Sequence, residues 1–232
     1  MRGVLYGLAG AAAWSAPAPT AVVPAFARPF GIRLRLPHDR GVALTFDDGP
    51  HPQGTPAVLE LLASTDAKAT FFLVGEQVDR FPSLAAEIAS AGHEVAVHGY
   101  RHRLLLRRSP SGFAADLDRA VAAIGEATGR APAVYRPPYG IFSLPALAVV
   151  RRRGLTPLLW TRWGKDWRPD ATGPSISALA CASLAPGDVV VLHDADHYSS
   201  PGAWRNTAAA LPSILDAVAA LGVGCCAVTH ST

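Results

Sequence analysis

Gly41-Val42-Ala43-Leu44-Thr45-Phe46-Asp47-Asp48-Gly49-Pro50 decides how this chain folds. The stretch up to Phe46 is an apolar run of strand length, two carboxylates follow it, and Gly49-Pro50 turns the chain. A helical pattern from Thr55 to Ala63 comes next. A buried strand passing through a tight turn into a helix is the unit of a parallel α/β sheet, whose ligands meet the carboxyl ends of the strands. Asp47 and Asp48 stand at such an end. Adjacent acids there are costly to hold without a cation or a proton between them, and the plainer alternative is an Asp-Asp-Gly turn capping the next helix.

The same unit recurs along the chain. Further strand candidates are Ala69 to Val74, His93 to Val97, Ala133 to Tyr135, Leu155 to Trp160, Asp188 to Leu192 and Gly224 to Val228. Helical patterns alternate with them at Pro82 to Ala91, Phe113 to Thr128, Leu144 to Arg153, Ser175 to Ala182 and Ala203 to Leu221. Gly92, Gly129, Gly154, Gly187 and Gly222 fall where a left-handed helix stop is wanted. Seven strands separated by helices predict a closed or nearly closed parallel sheet, a distorted (β/α)7-type barrel. The chemistry-bearing residues follow its strands: Asp47 and Asp48 the first, His98 the third, Arg136 the fourth, Asp166 the fifth and His193 the sixth. Strand carboxyl ends converge on one mouth in such folds, which favours a site over a turn cap.

Composition narrows the class. At 232 residues, half of them hydrophobic, the chain fits one catalytic domain over residues 41–232, expected to be a monomer. The net charge of +3 comes from scattered arginines and short clusters, Arg107-Arg108 and Arg151-Arg152-Arg153, so a nucleic-acid partner is not expected. Cys181, Cys225 and Cys226 read as buried thiols, since adjacent cysteines seldom bridge to each other. Residues 1–40 differ: an apolar segment from Gly3 to Trp14 behind Arg2, then a Pro/Ala stretch through Pro24 and a second apolar piece ending near Pro29-Phe30. That resembles a weak signal peptide or membrane anchor, with Ala16-Pro17-Ala18 as its small-residue cleavage site despite Pro19, although a spanning helix needs about 20 residues. The alternative is a leader that packs on the barrel or is disordered. The first reading puts the protein outside the cytoplasm or on a membrane, the second in the cytoplasm.

His98 and His102 are spaced to share one side of a helical turn. With one carboxylate they make a two-nitrogen, one-oxygen set of the kind that holds a catalytic zinc with a position open for water.

Joined to Thr45-Phe46-Asp47-Asp48-Gly49-Pro50, these motifs resemble the polysaccharide deacetylases, the NodB-homology family of metal-dependent carbohydrate deacetylases, over about residues 41 to 229. The resemblance implies removal of the N-acetyl group from an N-acetylated amino sugar, with a divalent metal, most readily Zn2+, held by Asp48, His98 and His102. It makes Asp47 the general base. In Arg136-Pro137-Pro138-Tyr139-Gly140 it has Arg136 orient the base and the Tyr139 amide face the oxyanion. Asp166-Trp167 resembles the motif that tunes the catalytic histidine and walls the acetyl pocket, and Val191-Leu192-His193 the motif of the general acid His193, with Leu192 at the substrate. The family usually has Ser or Thr where Gly99 stands, which predicts a lost hydrogen bond in the metal loop, and Leu where Val191 stands.

The chemistry agrees with this assignment. Amide hydrolysis needs an activated water, a base to take its proton, a positive partner for the oxyanion and an acid for the leaving amine. Other residues have plainer readings: Trp160 as core, Trp163 as core or a sugar-stacking face, and Asp194, Asp196 and His197 as a polar rim loop. His38, His51, His93 and His230 carry no assignment. Alternatives to a deacetylase of oligosaccharide or peptidoglycan N-acetylglucosamine are a deacetylase of a small glycoconjugate, an O-acetyl esterase and a non-catalytic sugar-binding protein.

Overall fold

The computed structural model describes residues 10–37 and 41–229; part of the apolar leader, His38 and His230 lie outside them. Strand β1 (Ala43–Asp47) leads to helix α1 (Gly54–Ala63), and β2 (Ala69–Leu73) to α2 (Gly75–Arg80) and α3 (Pro82–Ser90). Then come β3 (Glu94–Val97), α4 (Pro110–Thr128), β4 (Val134–Tyr135), α5 (Leu144–Arg152), β5 (Thr156–Pro157), β6 (Arg162–Trp163), α6 (Gly173–Cys181), β7 (Val189–His193) and α7 (Ala203–Ala220). Every strand pair is parallel, in the order β5-β4-β3-β2-β1-β7-β6.

The period-two alternation of strand side chains sorts the core into two layers. Leu44, Phe46, Phe71, Leu73, Val95, Val97, Tyr135, Val190 and Leu192 join one cluster with Val58, Leu62, Ile88 and Leu117 of the helices. Ala43, Phe72, Ala96, Val134 and Val189 form a second cluster with Leu36, Leu158 and Val228 and with no helix residue, on the inner face of the curled sheet. Residues in phase with that inner set, continued to the carboxyl ends, are Asp47, His98, Arg136, Val191 and His193. Register brings them together: Asp47 lies opposite His193 on neighbouring strands, and Val97 opposite Tyr135 puts His98 beside Arg136.

Chain length forces the curl. The sheet's two edge strands are β5 and β6, and Pro157 is followed by Arg162 after a link that can span at most about 18 Å. Edges of a flat sheet of this width would stand about 29 Å apart. The N-terminal segment fills the seam: Arg33 forms a parallel bridge with Leu158, donating to the Pro157 carbonyl at 2.9 Å, and the Leu36 N–H donates to Gly187 O at 2.8 Å. Ala27, Ile32 and Leu36 are buried, so this part of the leader packs on the barrel.

Strand candidates differ from the structure at two places. Gly224 to Val228 forms only an isolated bridge, Val42 to Cys225, and Val228 N–H is taken by the side chains of Thr70 and Glu94. The run Leu155 to Trp160 keeps a ladder only at Thr156–Pro157, and Arg162–Trp163, too short and too polar to show a strand pattern, forms β6. The five helix-stop glycines all have positive φ. The three thiols are half-buried rather than buried, Cys181 at the end of α6 and Cys225 and Cys226 on the irregular segment after α7, each at the margin of an apolar cluster, and no disulfide joins them.

Asp188 closes the seam from inside. Fully buried, it accepts from Arg35 Nη1 at 2.8 Å, Arg162 Nε at 3.0 Å, Thr161 Oγ1 at 2.7 Å and Ala185 N at 2.9 Å. Asp188→Ala strands these donors and unties both the N-terminal segment and β6; it is expected to cost about 3 kcal/mol of stability in urea unfolding, whereas a change under about 1 kcal/mol would show that the seam does not depend on it.

Candidate active site

At the carboxyl end of β1 the chain leaves the ladder at Asp48, whose φ of 78° is in the left-handed region that Asp tolerates better than most residues. The backbone reversal gives the two acids different surroundings. Asp47 Oδ1 is bound by Arg136 Nη1 at 2.6 Å. Asp48 Oδ1 lies 3.4 Å from both His98 Nε2 and His102 Nε2 and, although buried, has no hydrogen-bond partner.

Arg136 has no exposed surface. It also donates to Thr45 Oγ1 at 2.8 Å and to the Leu159 carbonyl at 3.2 Å, with its guanidinium 3.9 Å from the centre of the Phe72 ring. Burial lowers its pKa, and Asp47 opposes that shift. An arginine held this way remains a cation.

The backbone of Arg136 sets the state of His98. Its carbonyl is 3.0 Å from His98 Nδ1, and a carbonyl can only accept, so Nδ1 carries the proton and the lone pair of Nε2 points towards Asp48. Burial first, then the charge of Arg136, puts the His98 pKa well below its ordinary value. Burial, His98 and His193 bring His102 down to about 3. Asp48 is pushed up to about 7, mainly by burial and against the pull of His193. The buried Asp48 Oδ1 and the lone pair of His98 Nε2 converge here, and a proton or a cation between them relieves the repulsion. One ligand atom from each of Asp48, His98 and His102 lies within 4.8 Å of the others, so the residues fit a divalent cation.

Gly99 has a φ of 102°, where Ser or Thr would be strained. Without a hydroxyl at this position the loop is held through its backbone: Gly75 N–H bonds Gly99 O at 2.9 Å, Glu76 N–H bonds Tyr100 O at 2.9 Å, and Tyr100 N–H bonds Asp116 Oδ2 at 3.0 Å.

Across the mouth, His193 Nδ1 is 2.9 Å from Asp166 Oδ1, and Asp166 Oδ2 accepts from His193 N at 2.7 Å and from Thr207 Oγ1 at 2.8 Å. Burial pulls the His193 pKa down, but Asp166, with Asp48 and Asp47 further off, overrides it and raises the value to about 10. With Nδ1 committed to Asp166, Nε2 is the free ring nitrogen at the cleft. Trp167 meets the ring edge-on at a centroid distance of 5.5 Å.

Asp47, Asp48, His98, His102 and His193 line one cleft of about 240 Å³, walled by Tyr139, Gly140, Trp160, Trp163, Trp167, Val191, Tyr198 and Ser199. Tyr139 has a φ of 61°, is 57% exposed and points its ring edge at His102, at 4.6 Å. Leu192 does not reach the cleft: strand alternation turns it into the layer under the helices, and Val191 takes the wall position. Trp160, half-buried, packs against both apolar clusters and also walls the cleft, admitted because Gly140 has no Cβ, which would sit 2.4 Å from the indole. Asp194 is no rim residue. In phase with Leu192, it is fully buried, bonded by Thr55 Oγ1, and raised to about 7 by burial.

Tyr198 was not singled out by sequence. Its ring stacks on His102 at 4.3 Å and 10°, and its hydroxyl donates to Glu76 Oε1 at 2.8 Å and accepts from Gln77 Nε2 at 3.0 Å. Nothing in an irregular loop marks a tyrosine for that place. His51, Asp196 and His197 make a second cluster with ligand-like spacing, but its chemistry is opposite. Backbone N–H groups of Gln53 and Gly54 donate to His51 Nδ1, so Nε2 carries the proton and gives it to Asp196 Oδ1 at 3.1 Å. That nitrogen has no lone pair for a metal.

Residues 35–158 match the family described as polysaccharide deacetylase. A chitooligosaccharide deacetylase of Bradyrhizobium sp. (strain ANU 289) is 38% identical over 156 residues, 67% of this chain and 71% of that protein. A peptidoglycan-N-acetylglucosamine deacetylase of Bacillus cereus is 32% identical over 181 residues, 77% of this chain and 81% of that one. Among solved structures, a peptidoglycan N-acetylglucosamine deacetylase in complex with 4-naphthalen-1-yl-N-oxidanyl-benzamide aligns with a TM-score of 0.81 at 26% identity, covering 88% of this chain and 94% of that chain. The family 4 carbohydrate esterase from Streptomyces lividans in complex with acetate aligns with a TM-score of 0.74 at 30% identity, covering 83% and 95%. The sequence match and the shared half-barrel agree, and the chain belongs to the polysaccharide deacetylase family.

Proposed function

We propose that this protein is a metal-dependent N-deacetylase that hydrolyses the acetamide of an N-acetylglucosamine unit, in an oligosaccharide, peptidoglycan or a smaller glycoconjugate, to acetate and a free amine. The observation that carries the reading is the split of adjacent acids: Asp48 faces two imidazoles, and Asp47 faces Arg136. Metal-assisted hydrolysis of an amide needs ligands for the ion and a separate group to take the proton of the attacking water, and the two acids are placed for those two parts. The named relatives act on such substrates, which supports the choice of sugar.

Asp48, His98 and His102 would hold the ion, with zinc the best match to two nitrogens and one carboxylate oxygen. When bound, the ion supplies Lewis-acid polarisation of the acetyl carbonyl and lowers the pKa of water. Asp47, with Oδ1 fixed by Arg136, has Oδ2 left to take the proton of the attacking water. As the carbon–nitrogen bond breaks, the amine leaves only if protonated. His193 is charged at neutral pH and gives its Nε2 proton to that nitrogen, while Asp166 holds Nδ1 and keeps the ring in place. Tyr139, Trp160, Trp163 and Trp167 present aromatic faces of the size a pyranose ring stacks on.

Metal uptake gives the first test. His98→Ala is expected to abolish binding of about one zinc per chain by elemental analysis, whereas Asp47→Asn keeps it. Below about pH 7 Asp48 holds a proton that a cation must displace, and both imidazoles are already neutral. Zinc affinity of the stripped protein should therefore rise about tenfold per pH unit up to about 7 and level off above it; a flat profile would remove Asp48 from the ligand set.

Rates test the division of labour. Asp47→Asn, metal-loaded, should lose roughly 10² to 10⁴ in kcat on an N-acetylglucosamine oligomer, and a loss under tenfold would return Asp47 to a structural part. His193→Ala should lose amide hydrolysis far more than hydrolysis of an activated aryl acetate, whose leaving group needs no proton. Asp166→Asn should move in the same direction, but less. Equal losses on both substrates in metal-loaded His193→Ala would contradict its assignment as the acid.

A further inference from the structure

The loop that carries His102 continues as Arg101-His102-Arg103-Leu104-Leu105-Leu106-Arg107-Arg108. Arg101, Arg103 and Arg107 are exposed, and among the described residues none of them takes part in an ion pair or a side-chain hydrogen bond. Arg119, Arg153 and Arg168, elsewhere on the surface, are each matched with an acid, Asp79, Asp118 and Asp170. Unmatched guanidinium groups side by side repel one another, so an anionic partner is favoured at this loop.

Apolar surface lies beside them. Trp14 Nε1 donates to the Leu106 carbonyl at 3.2 Å and fastens the helical residues 10–15 to the arginine loop. The chain then runs through the turn Ala18–Ala21, which packs against the turn Pro138–Gly140 that holds Tyr139 at the cleft mouth. Next come Val22, 71% exposed, Val23, 40% exposed, and Phe26, 49% exposed, followed by Arg28, which is exposed and has no ion-pair partner among the described residues. No helix among the described residues is long and apolar enough to cross a membrane. Exposed apolar side chains and arginines without an acidic partner, on segments that Trp14 and Leu106 tie together, instead have the make-up of a surface that lies in a lipid headgroup layer.

We propose that these segments, through Val22, Val23 and Phe26 together with Arg101, Arg103 and Arg107, dock on an anionic lipid surface and hold the cleft mouth at the headgroups. The bonds made are ionic and apolar contacts, and docking depends on neither the metal nor catalysis.

The test is sedimentation of the full chain with vesicles of phosphatidylcholine alone or mixed with phosphatidylglycerol. Binding is expected to the mixed vesicles, to weaken steeply as salt is raised, and to be much weaker with phosphatidylcholine alone. Arg103→Ser/Arg107→Ser should lower the affinity about thirty-fold, at roughly 1 kcal/mol per arginine. Val22→Ser/Phe26→Ser should lower it several-fold. Unchanged circular dichroism melting shows that each variant is folded, without reference to activity. No binding to the mixed vesicles, equal binding to both kinds, or parent-like binding of both variants overturns the proposal. Loss in the arginine variant alone, with Val22→Ser/Phe26→Ser binding fully, also overturns it, because the loop would then be a site for a soluble polyanion.

Discussion

The contact between Arg136 and Asp47 is the constraint on which the site depends. Two neighbouring carboxylates in a buried place would ordinarily share a proton or compete for one cation. Arg136 separates them, because its guanidinium, wholly buried and held by Thr45, the Leu159 carbonyl and the Phe72 face, claims Asp47. Its carbonyl claims the His98 Nδ1 proton. One residue thus fixes which acid stays off the cation and which nitrogen is turned towards it. Taking one partner away from such a pair typically costs about 3–5 kcal/mol, so the pair also ties β1 to the end of β4.

The two histidine clusters show why ligand spacing alone does not make a metal site. His98 and His51 both sit within reach of an Asp and a second His. A backbone carbonyl meets Nδ1 of the first, and backbone N–H groups meet Nδ1 of the second. The first is left with a lone pair aimed at its Asp, the second with a proton already given to its Asp. The same side chain is therefore a ligand in one cluster and a hydrogen-bond donor in the other.

Much of this was legible in the sequence because the fold is built from local signals. An apolar run, a Gly-Pro turn and a helical pattern are read within about fifteen residues, and strand parity then carries Asp47, His98, Arg136 and His193 to one side of the sheet. What escaped depends on distant partners. Gly224 to Val228 has strand composition, but the side chains of Glu94 and Thr70 occupy the amide of Val228. Trp160 reads only as core until Gly140, far along the chain, opens the wall beside it. Leu192 fails for a local reason, since a motif match names three consecutive residues while alternation lets only Val191 and His193 face the cleft. Tyr198 is placed by Glu76 and Gln77 on another element, which no pattern in its own loop records.

The central claim is that one cation at Asp48, His98 and His102 works with Asp47 and His193 to cleave an N-acetyl group. Its most direct test is to strip the protein of metal and titrate it with zinc while following acetate release from an N-acetylglucosamine oligomer. The account predicts no release from the stripped protein and a linear rise that breaks at about one equivalent of zinc. Full release without metal, or a break at about two equivalents, as filling of the His51, Asp196 and His197 cluster would give, would contradict it.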